Sequence, residues 1–203
     1  MNTALFFDTE TSGLPLFREP SEDPRQPHIV QLGALLVDLD TRRVLSSIDV
    51  IVRPEGWVIP DDVADIHGIT TELAAEVGVS ESLALGMLLD LWECADFRVA
   101  HNESFDARIV RIAQHRFDCA ALRVWDEAPA QCTAKLAGPI MQLPPTEKML
   151  RAGFKHFKTP NLREAHLHFI GQPLEGAHSA MADARGCMDV FFAIQDLQAK
   201  AAA

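Results

Sequence analysis

Apolar residues form short runs in the first part of the chain and follow helical spacing in the later part. Residues 4–8, 29–38 and 44–53 are rich in Val, Ile, Leu and Phe, and polar turns bound each run. Runs of this length and composition predict strands, and 97–100 predicts a fourth. Because the runs are almost continuously apolar, we expect a sheet that is covered on both faces.

Helical spacing of apolar residues predicts five helices, over 71–78, 81–93, 104–117, 161–170 and 179–199. The remaining segments predict a proline-rich loop at 15–28, an irregular link at 53–70, and a loop or partly ordered arm at 138–160. Strands followed by alternating helix and strand indicate an α/β sheet with helices on its faces. Because no internal repeat or linker is visible, we expect residues 1–203 to form a single domain.

Composition and charge narrow the class of protein. The chain is 48% hydrophobic, which supports a sizeable core, and its formal net charge of -11 argues against non-specific binding of nucleic acid. Its four cysteines are widely spaced and form neither a zinc motif nor a dense disulfide framework: Cys94, Cys119, Cys132 and Cys187. No signal peptide and no apolar run of about 20 residues is present, so we expect a soluble cytoplasmic protein without a membrane partner.

Two carboxylates follow the first predicted strand directly. Asp8 and Glu10 are two residues apart, so both side chains leave the same face if the strand continues that far. Two like charges side by side are unfavourable unless a cation or a shared proton offsets them. The alternative is an ordinary acidic strand end in solvent, and this segment alone leaves both interpretations open.

Two further acids interrupt the apolar faces of predicted helices. Asp106 lies beside the apolar stripe of a helix that Ser104 can cap, although a first-turn acid can also be there because the helix dipole favours it. Asp183 interrupts a second apolar seam. His178 shares a site with Asp183 only if it precedes the helix, because five helical positions are about 140° apart. Four such carboxylates together favour Mg²⁺ or Mn²⁺.

These residues resemble a known family. The segments FDTETSGL and HNESFDARIV, with the H-x-A-x-x-D pattern of His178, Ala180 and Asp183, resemble the three motifs of the DEDDh (DnaQ-like) 3′–5′ exonucleases. The family includes the proofreading epsilon subunit of bacterial DNA polymerase III, RNase T, oligoribonuclease and the TREX enzymes. The segment DIHGIT (65–70) also resembles a family segment. The resemblance implies an RNase H-like fold, with a mixed five-stranded sheet flanked by α-helices.

The resemblance also implies residue roles around two divalent metal ions, Mg²⁺ or Mn²⁺. Asp8, Glu10 and Asp183 would bind the first ion, with Asp8 bridging to the second. Asp106 would support the metal site, and His178 would be the general base. The implied substrate-binding residues are Thr9, Thr11, Ser12, Gly13 and Leu14, the last as a wedge against the terminal base, with weaker candidates in His67, Asn102 and Phe105.

The function implied is a metal-dependent exonuclease that releases nucleoside 5′-monophosphates from single-stranded or frayed 3′ ends, with DNA favoured over RNA. Two alternatives stay open: an RNA 3′-end trimming exoribonuclease, and a non-catalytic scaffold that binds nucleic acid. A replication or repair protein is a possible partner, and the oligomeric state is not predicted.

Two features depart from, or add to, the family pattern. Cys132 stands where many relatives have Asp. Five basic residues of the later third either guide the nucleic-acid strand or belong to an ordinary solvated surface: Lys135, Lys148, Lys155, Lys158 and Arg163.

Overall fold

A mixed sheet forms the centre of the computed structural model, which describes residues 2–119 and 122–202. Its strands in the described residues are β1 (Thr3–Thr11), β2 (Ile29–Asp38), β3 (Arg43–Ile51), β4 (Phe97–Ala100) and β5 (Ala130–Cys132). Their order across the sheet is β3-β2-β1-β4-β5. The first three strands pair antiparallel, whereas β4 runs parallel to both β1 and β5. The predicted five-stranded mixed sheet is therefore confirmed.

Helices cover the sheet. In the described residues they are α1 (Asp61–His67), α2 (Thr71–Val77), α3 (Glu81–Trp92), α4 (Glu103–Arg116), α5 (Leu122–Glu127), α6 (Thr133–Met141), α7 (Glu147–Arg151), α8 (Leu162–Ile170) and α9 (Ala180–Ala202). None of the helices within 2–119 and 122–202 combines the length and the apolar character that crossing a membrane requires.

The alternation of side chains along β1 divides the core into two layers. Leu5 and Phe7 pack on one face of the sheet with apolar residues of α3 and α4 and with Trp125. Ala4 and Phe6 pack on the other face against α9, where the Phe6 ring meets that of Phe191 at 5.2 Å. Because side chains alternate, Asp8 and Glu10 continue the α9 face, whereas Thr9 continues the α4 face. The two layers therefore meet the end of β1 from opposite sides.

Several predicted boundaries are corrected by the structure. The first strand extends to Thr11 rather than ending at 8, and the predicted link 53–70 contains α1. The segment 138–160 is not only a loop, because it contains the end of α6 and all of α7.

The expectation of full coverage on both faces is wrong for β3. This strand lies at the edge of the sheet, and residues 43–47 are exposed. Capping of α4 also differs from the prediction, because the helix begins after Asn102, whose backbone is left-handed (φ 66°), and Ser104 lies within the helix.

Candidate active site

The end of β1 supplies the first two acids. Because β1 continues past Asp8 and pairs with β2 to the end, Glu10 lies opposite Gln31 and Asp8 lies opposite Gly33. A register shift between Glu10 and Thr11 then ends the regular pairing. The strand thus carries both carboxylates on the α9 face, as their two-residue spacing predicted.

Thr9 connects β1 to α4 through Asp106. Its backbone N–H and its hydroxyl both donate to Asp106 Oδ1, at 3.0 Å and 2.8 Å. Asp106 lies in the first turn of α4 and is only 3% exposed. Burial raises its pKa to about 7, although the hydrogen bonds from Thr9 oppose that rise. The position of Thr9 is therefore that of a buried support for Asp106.

The start of α9 brings Asp183 and His178 to the same place. Gly33 allows this approach, since a Cβ added there would lie 2.4 Å from the carbonyl carbon of Ala180. Gln31 also holds the helix start, because its Oε1 accepts a hydrogen bond from Ala180 N at 3.1 Å. Asp183 lies in the first turn of the helix.

His178 precedes α9, which is the condition that its spacing from Asp183 imposed. Its backbone is left-handed, with φ of 72°, and its N–H donates to Asp183 Oδ2 at 3.3 Å. Ligand atoms of Glu10, His178 and Asp183 all lie within 4.8 Å of one another. The structure thus brings together, around one point, groups that are up to 173 positions apart in the chain.

The electrostatics of the cluster favour a bound cation. Burial raises the pKa of Asp8 well above its ordinary value, and repulsion from Asp106, Asp183 and Glu10 raises it further. Burial and the charge of Asp183 raise the pKa of Glu10 to about 7, and burial raises that of Asp183. Among the described residues, Asp183 Oδ1 is buried without a hydrogen-bond partner. Crowded carboxylates with an unpaired buried oxygen fit hard divalent ions.

A cavity of about 200 Å³ adjoins these groups. It is lined by Asn161, Leu162, Arg163, Ala177, His178 and Asp183. The charge of Arg163 lies close enough to Asp183 to oppose the rise in the pKa of that carboxyl. Arg163, a member of the predicted basic set, thus shares a cavity with Asp183.

His67 also lies near the cluster. Burial and the nearby His178 lower the pKa of its imidazole. Its Nδ1 accepts a hydrogen bond from Ile69 N at 3.1 Å, so Nε2 carries the proton in the neutral ring. In the described residues, Nε2 is buried and has no partner. This leaves a donor available beside the site.

The turn after β1 is ordered by its own hydrogen bonds. Thr11 Oγ1 donates to the carbonyl of Gly13 at 2.8 Å, and Ser12 exchanges two hydrogen bonds with the backbone of His28 at 3.0 Å and 2.9 Å. These contacts present Leu14 with 74% of its surface exposed.

The remaining predicted substrate residues differ in exposure. Asn102 is exposed at the start of α4, whereas Phe105 is half-buried and packs against the core on that face of the sheet.

A polar chain that the sequence analysis did not identify lies behind the acids. His101 Nδ1 contacts Thr133 Oγ1 at 2.9 Å, and that hydroxyl lies 3.4 Å from Cys187 Sγ. His101 Nε2 reaches the carbonyl of Pro160 at 3.0 Å. Burial raises the pKa of the Cys187 thiol. The chain joins α9, α6 and β4 to the segment that leads into α8.

All four cysteines are free; Cys187 is buried, Cys119 and Cys132 are half-buried, and Cys94 is exposed. Cys132 directly precedes α6 and forms no side-chain cap bond to it.

Comparisons with known proteins identify both a family and a fold. The RNase T family model, described as exonuclease, matches residues 5–191. E. coli exonuclease I in complex with a dT13 oligonucleotide superimposes with a TM-score of 0.75 at 18% identity, over 98% of this chain and 42% of that one. The nuclease domain of 3′hExo, a DEDDh family member bound to rAMP, gives 0.66 at 15% identity, over 97% and 92%.

The chain thus spans about two-fifths of exonuclease I. A zinc-bound form of the E. coli exonuclease I–single-stranded DNA complex gives a TM-score of 0.70 at 18% identity, over 98% of this chain and 41% of that one. No curated protein matches the sequence.

Proposed function

The chain belongs to the RNase T family of exonucleases, and we propose that it releases nucleoside 5′-monophosphates from single-stranded or frayed 3′ ends of DNA. The observation that carries the proposal is the convergence of acids from β1, α4 and α9 beside a histidine. A purely structural role does not explain why several acids lie so close together, because buried like charges are unfavourable. Metal-dependent catalysis at a phosphodiester does require this arrangement, because cations must be held beside a highly charged substrate.

The proposed cofactor is a pair of divalent ions, Mg²⁺ or Mn²⁺. Asp8, Glu10 and Asp183 would hold the first ion, Asp8 would also contact the second, and Asp106 would support the site. Bound ions would stabilise the charge that develops on the attacking, phosphoryl and leaving oxygens. The zinc in the exonuclease I complex supports a metal requirement for this fold without fixing the identity of the ion here.

His178 is the proposed general base. It is partly exposed and lies in a cavity with Asp183, so its ring can reach a water molecule beside the substrate. An imidazole can take a proton from that water near neutral pH. The hydrogen bond from its backbone N–H to Asp183 fixes the loop that carries the ring.

Three groups would position the terminal nucleotide. Arg163 would contact a phosphate in the cavity that it shares with His178. His67 would donate a hydrogen bond from Nε2, and the exposed Leu14 would pack against the terminal base. Thr11, Ser12 and Gly13 would hold the turn that carries Leu14.

RNA 3′-end trimming is the second candidate. It is supported by the rAMP bound to 3′hExo, which shares the fold. The DNA proposal is supported by the dT13 bound to exonuclease I. Because the two substrates differ by a 2′-hydroxyl at each sugar, matched oligonucleotides separate the candidates.

The deciding experiment uses one sequence, as single-stranded DNA and as RNA, labelled at the 5′ end and incubated with Mg²⁺, Mn²⁺ or EDTA. We expect stepwise shortening of the DNA from its 3′ end with either metal and none in EDTA. Asp8→Asn should abolish shortening, whereas Asp40→Asn, which removes an exposed acid in the turn after β2, should leave it unchanged.

Shortening of RNA alone would support the second candidate. Metal-independent binding without hydrolysis of either strand would instead support a scaffold. The assignment of 1–203 to one exonuclease domain, a replication or repair partner, and a cytoplasmic location remain predictions from the sequence.

A further inference from the structure

One surface segment reverses the charge of the rest of the molecule. Residues 147–158, here named the basic arm, contain four basic residues and one acid in a chain whose net charge is -11. The arm comprises α7 and the irregular segment after it. Arg151 pairs with Glu147, and Lys158 pairs with Glu164. Among the described residues, Lys148 and Lys155 form no ion pair, so their charges face solvent.

Exposed aromatic rings alternate with these charges. Phe154 and Phe157 are each 54% exposed, although a core would normally bury residues of this type. The rings of His156 and Phe154 meet at a steep angle, with centroids 5.5 Å apart. Aromatic platforms within a basic groove are the common feature of proteins that bind single-stranded nucleic acid, because unpaired bases stack on the rings while cations follow the phosphates.

The arm also borders a groove that can hold part of a ligand. A cavity of about 380 Å³ lies between α6 and the arm. It has two lysines, Lys135 and Lys158, on its rim together with His156 and Phe157. Lys135 is exposed on α6, so cationic groups border the cavity from two separate elements.

The end of the arm leads to the active site. Pro160, two residues after Lys158, is held by His101 through its carbonyl oxygen. Asn161 lines the cavity that contains His178 and Asp183. Three residues of extended chain span at most about 11 Å, so the arm ends close to the cavity that contains His178 and Asp183.

We propose that the basic arm, together with Lys135, binds the single strand upstream of the phosphate to be cleaved, with bases stacked on Phe154 and Phe157. This inference rests on the proposed nuclease function and adds a substrate preference to it. A paired duplex cannot stack its internal bases on protein rings, so the arm selects unpaired strands. Because the arm is positively charged, it favours a polyanion over an apolar protein surface as its ligand.

The experiment measures binding by the fluorescence anisotropy of a labelled DNA single strand of about 12 nucleotides, within the usual range of site sizes. EDTA prevents hydrolysis in this assay, and a blunt duplex of the same sequence is the comparison. The variants are Phe157→Ala and Lys155→Gln. Their matched controls are Phe117→Ala, at the far end of α4, and Lys200→Gln, near the end of α9.

Phe157→Ala should weaken single-strand binding about tenfold, as loss of one stacked base predicts, with little effect on the duplex. Lys155→Gln should lower the slope of log affinity against log salt by about 0.7, the contribution of one phosphate contact in a single strand. Both controls should bind like the wild type.

Wild-type binding from both arm variants would overturn the inference, as would equal affinity for duplex and single strand, or no binding by the wild type. If the arm binds a protein or a membrane instead, the wild type should likewise show no binding of the DNA single strand. Hydrolysis is measured separately, as metal-dependent shortening of the same single strand at a saturating concentration. Failure of the wild type to shorten this strand with metal present counts against the proposed function, and unaltered binding by the arm variants counts against the arm.

Discussion

Replacing Gly33 by Ala tests whether close contact between β2 and α9 sets the geometry of the active site. The added Cβ would lie 2.4 Å from both the carbonyl carbon of Ala180 and the nitrogen of Met181, and 2.5 Å from the Ala180 oxygen. All three atoms belong to the backbone, so no change of side-chain rotamer can relieve the overlap. The start of α9 must therefore move away from the sheet.

The required displacement follows from these distances. Carbon atoms are in favourable contact at about 3.5 Å or more, so the helix start must shift by about 1 Å. Overpacking of this kind usually costs about 1–3 kcal/mol of the free energy of unfolding. Ala180 is two residues from His178 and three from Asp183, so the shift would separate both from Asp8 and Glu10. A misplacement of about 1 Å can lower a catalytic rate about 100-fold.

The assay compares kcat on single-stranded DNA with the free energy of unfolding by urea, at a temperature where the variant is fully folded. Gly86→Ala is the matched control, because Gly86 lies within α3 and a Cβ there meets nothing within 4 Å. It should keep wild-type activity and gain up to about 1 kcal/mol of stability. A folded Gly33→Ala protein with wild-type kcat would refute the reasoning.

Four further predictions concern the same region. Thr9→Val removes the hydroxyl that donates to Asp106 at 2.8 Å. It should lower kcat, and above pH 7 it should also lower the free energy of unfolding by about 1.5–3 kcal/mol. Thr9→Ser keeps the hydroxyl and should behave like the wild type. In EDTA, the free energy of unfolding should fall as the pH rises from about 4 to about 7, because burial raises the pKa of Glu10 and of Asp106 to about 7 and the folded state is penalised as they ionise. Mg²⁺ at pH 8 should then raise the Tm of the wild type and not that of Asp8→Asn, and equal shifts would contradict a metal site at Asp8. Burial lowers the pKa of His101 from its ordinary 6.5. The difference in the free energy of unfolding between the wild type and His101→Gln should therefore shrink as the pH falls below 6.5. A difference that stays constant with pH, measured by urea unfolding, would exclude this.

The elements that the sequence predicted well are those with a buried apolar face. The bounds 29–38 and 97–100 agree with β2 and β4, whose residues are almost all buried. Three of the missed elements have no such face, whereas the missed helices α5 and α6 do bury residues, among them Trp125 and Ala137. Both α1 and α7 contain no buried residue, and β5 has only three residues, none of them buried. Periodicity cannot detect an element that contributes little to the core.

The candidate site shows the same division between local and distant information. Spacing alone indicated that Asp8 and Glu10 share a face and that His178 must precede its helix, because both conditions depend on a few neighbouring residues. The role of Gly33 depends on Ala180, which is 147 positions away, and that of Thr133 depends on Cys187. A glycine inside an apolar strand was the only local signal of the close approach at Gly33.

In the proposed mechanism, two separate charge distributions act on the substrate. The acids repel a phosphate until cations bind, and the net charge of -11 repels a polyanion at longer range. Near 0.1 M salt, electrostatic effects between exposed groups decay over about 10 Å, so the basic arm can attract a strand only near its own surface. We therefore expect added salt to raise KM for long strands through the arm, and chelation to abolish turnover through the acids. Because the arm and the acids belong to different elements, a variant of one should leave the response of the other unchanged.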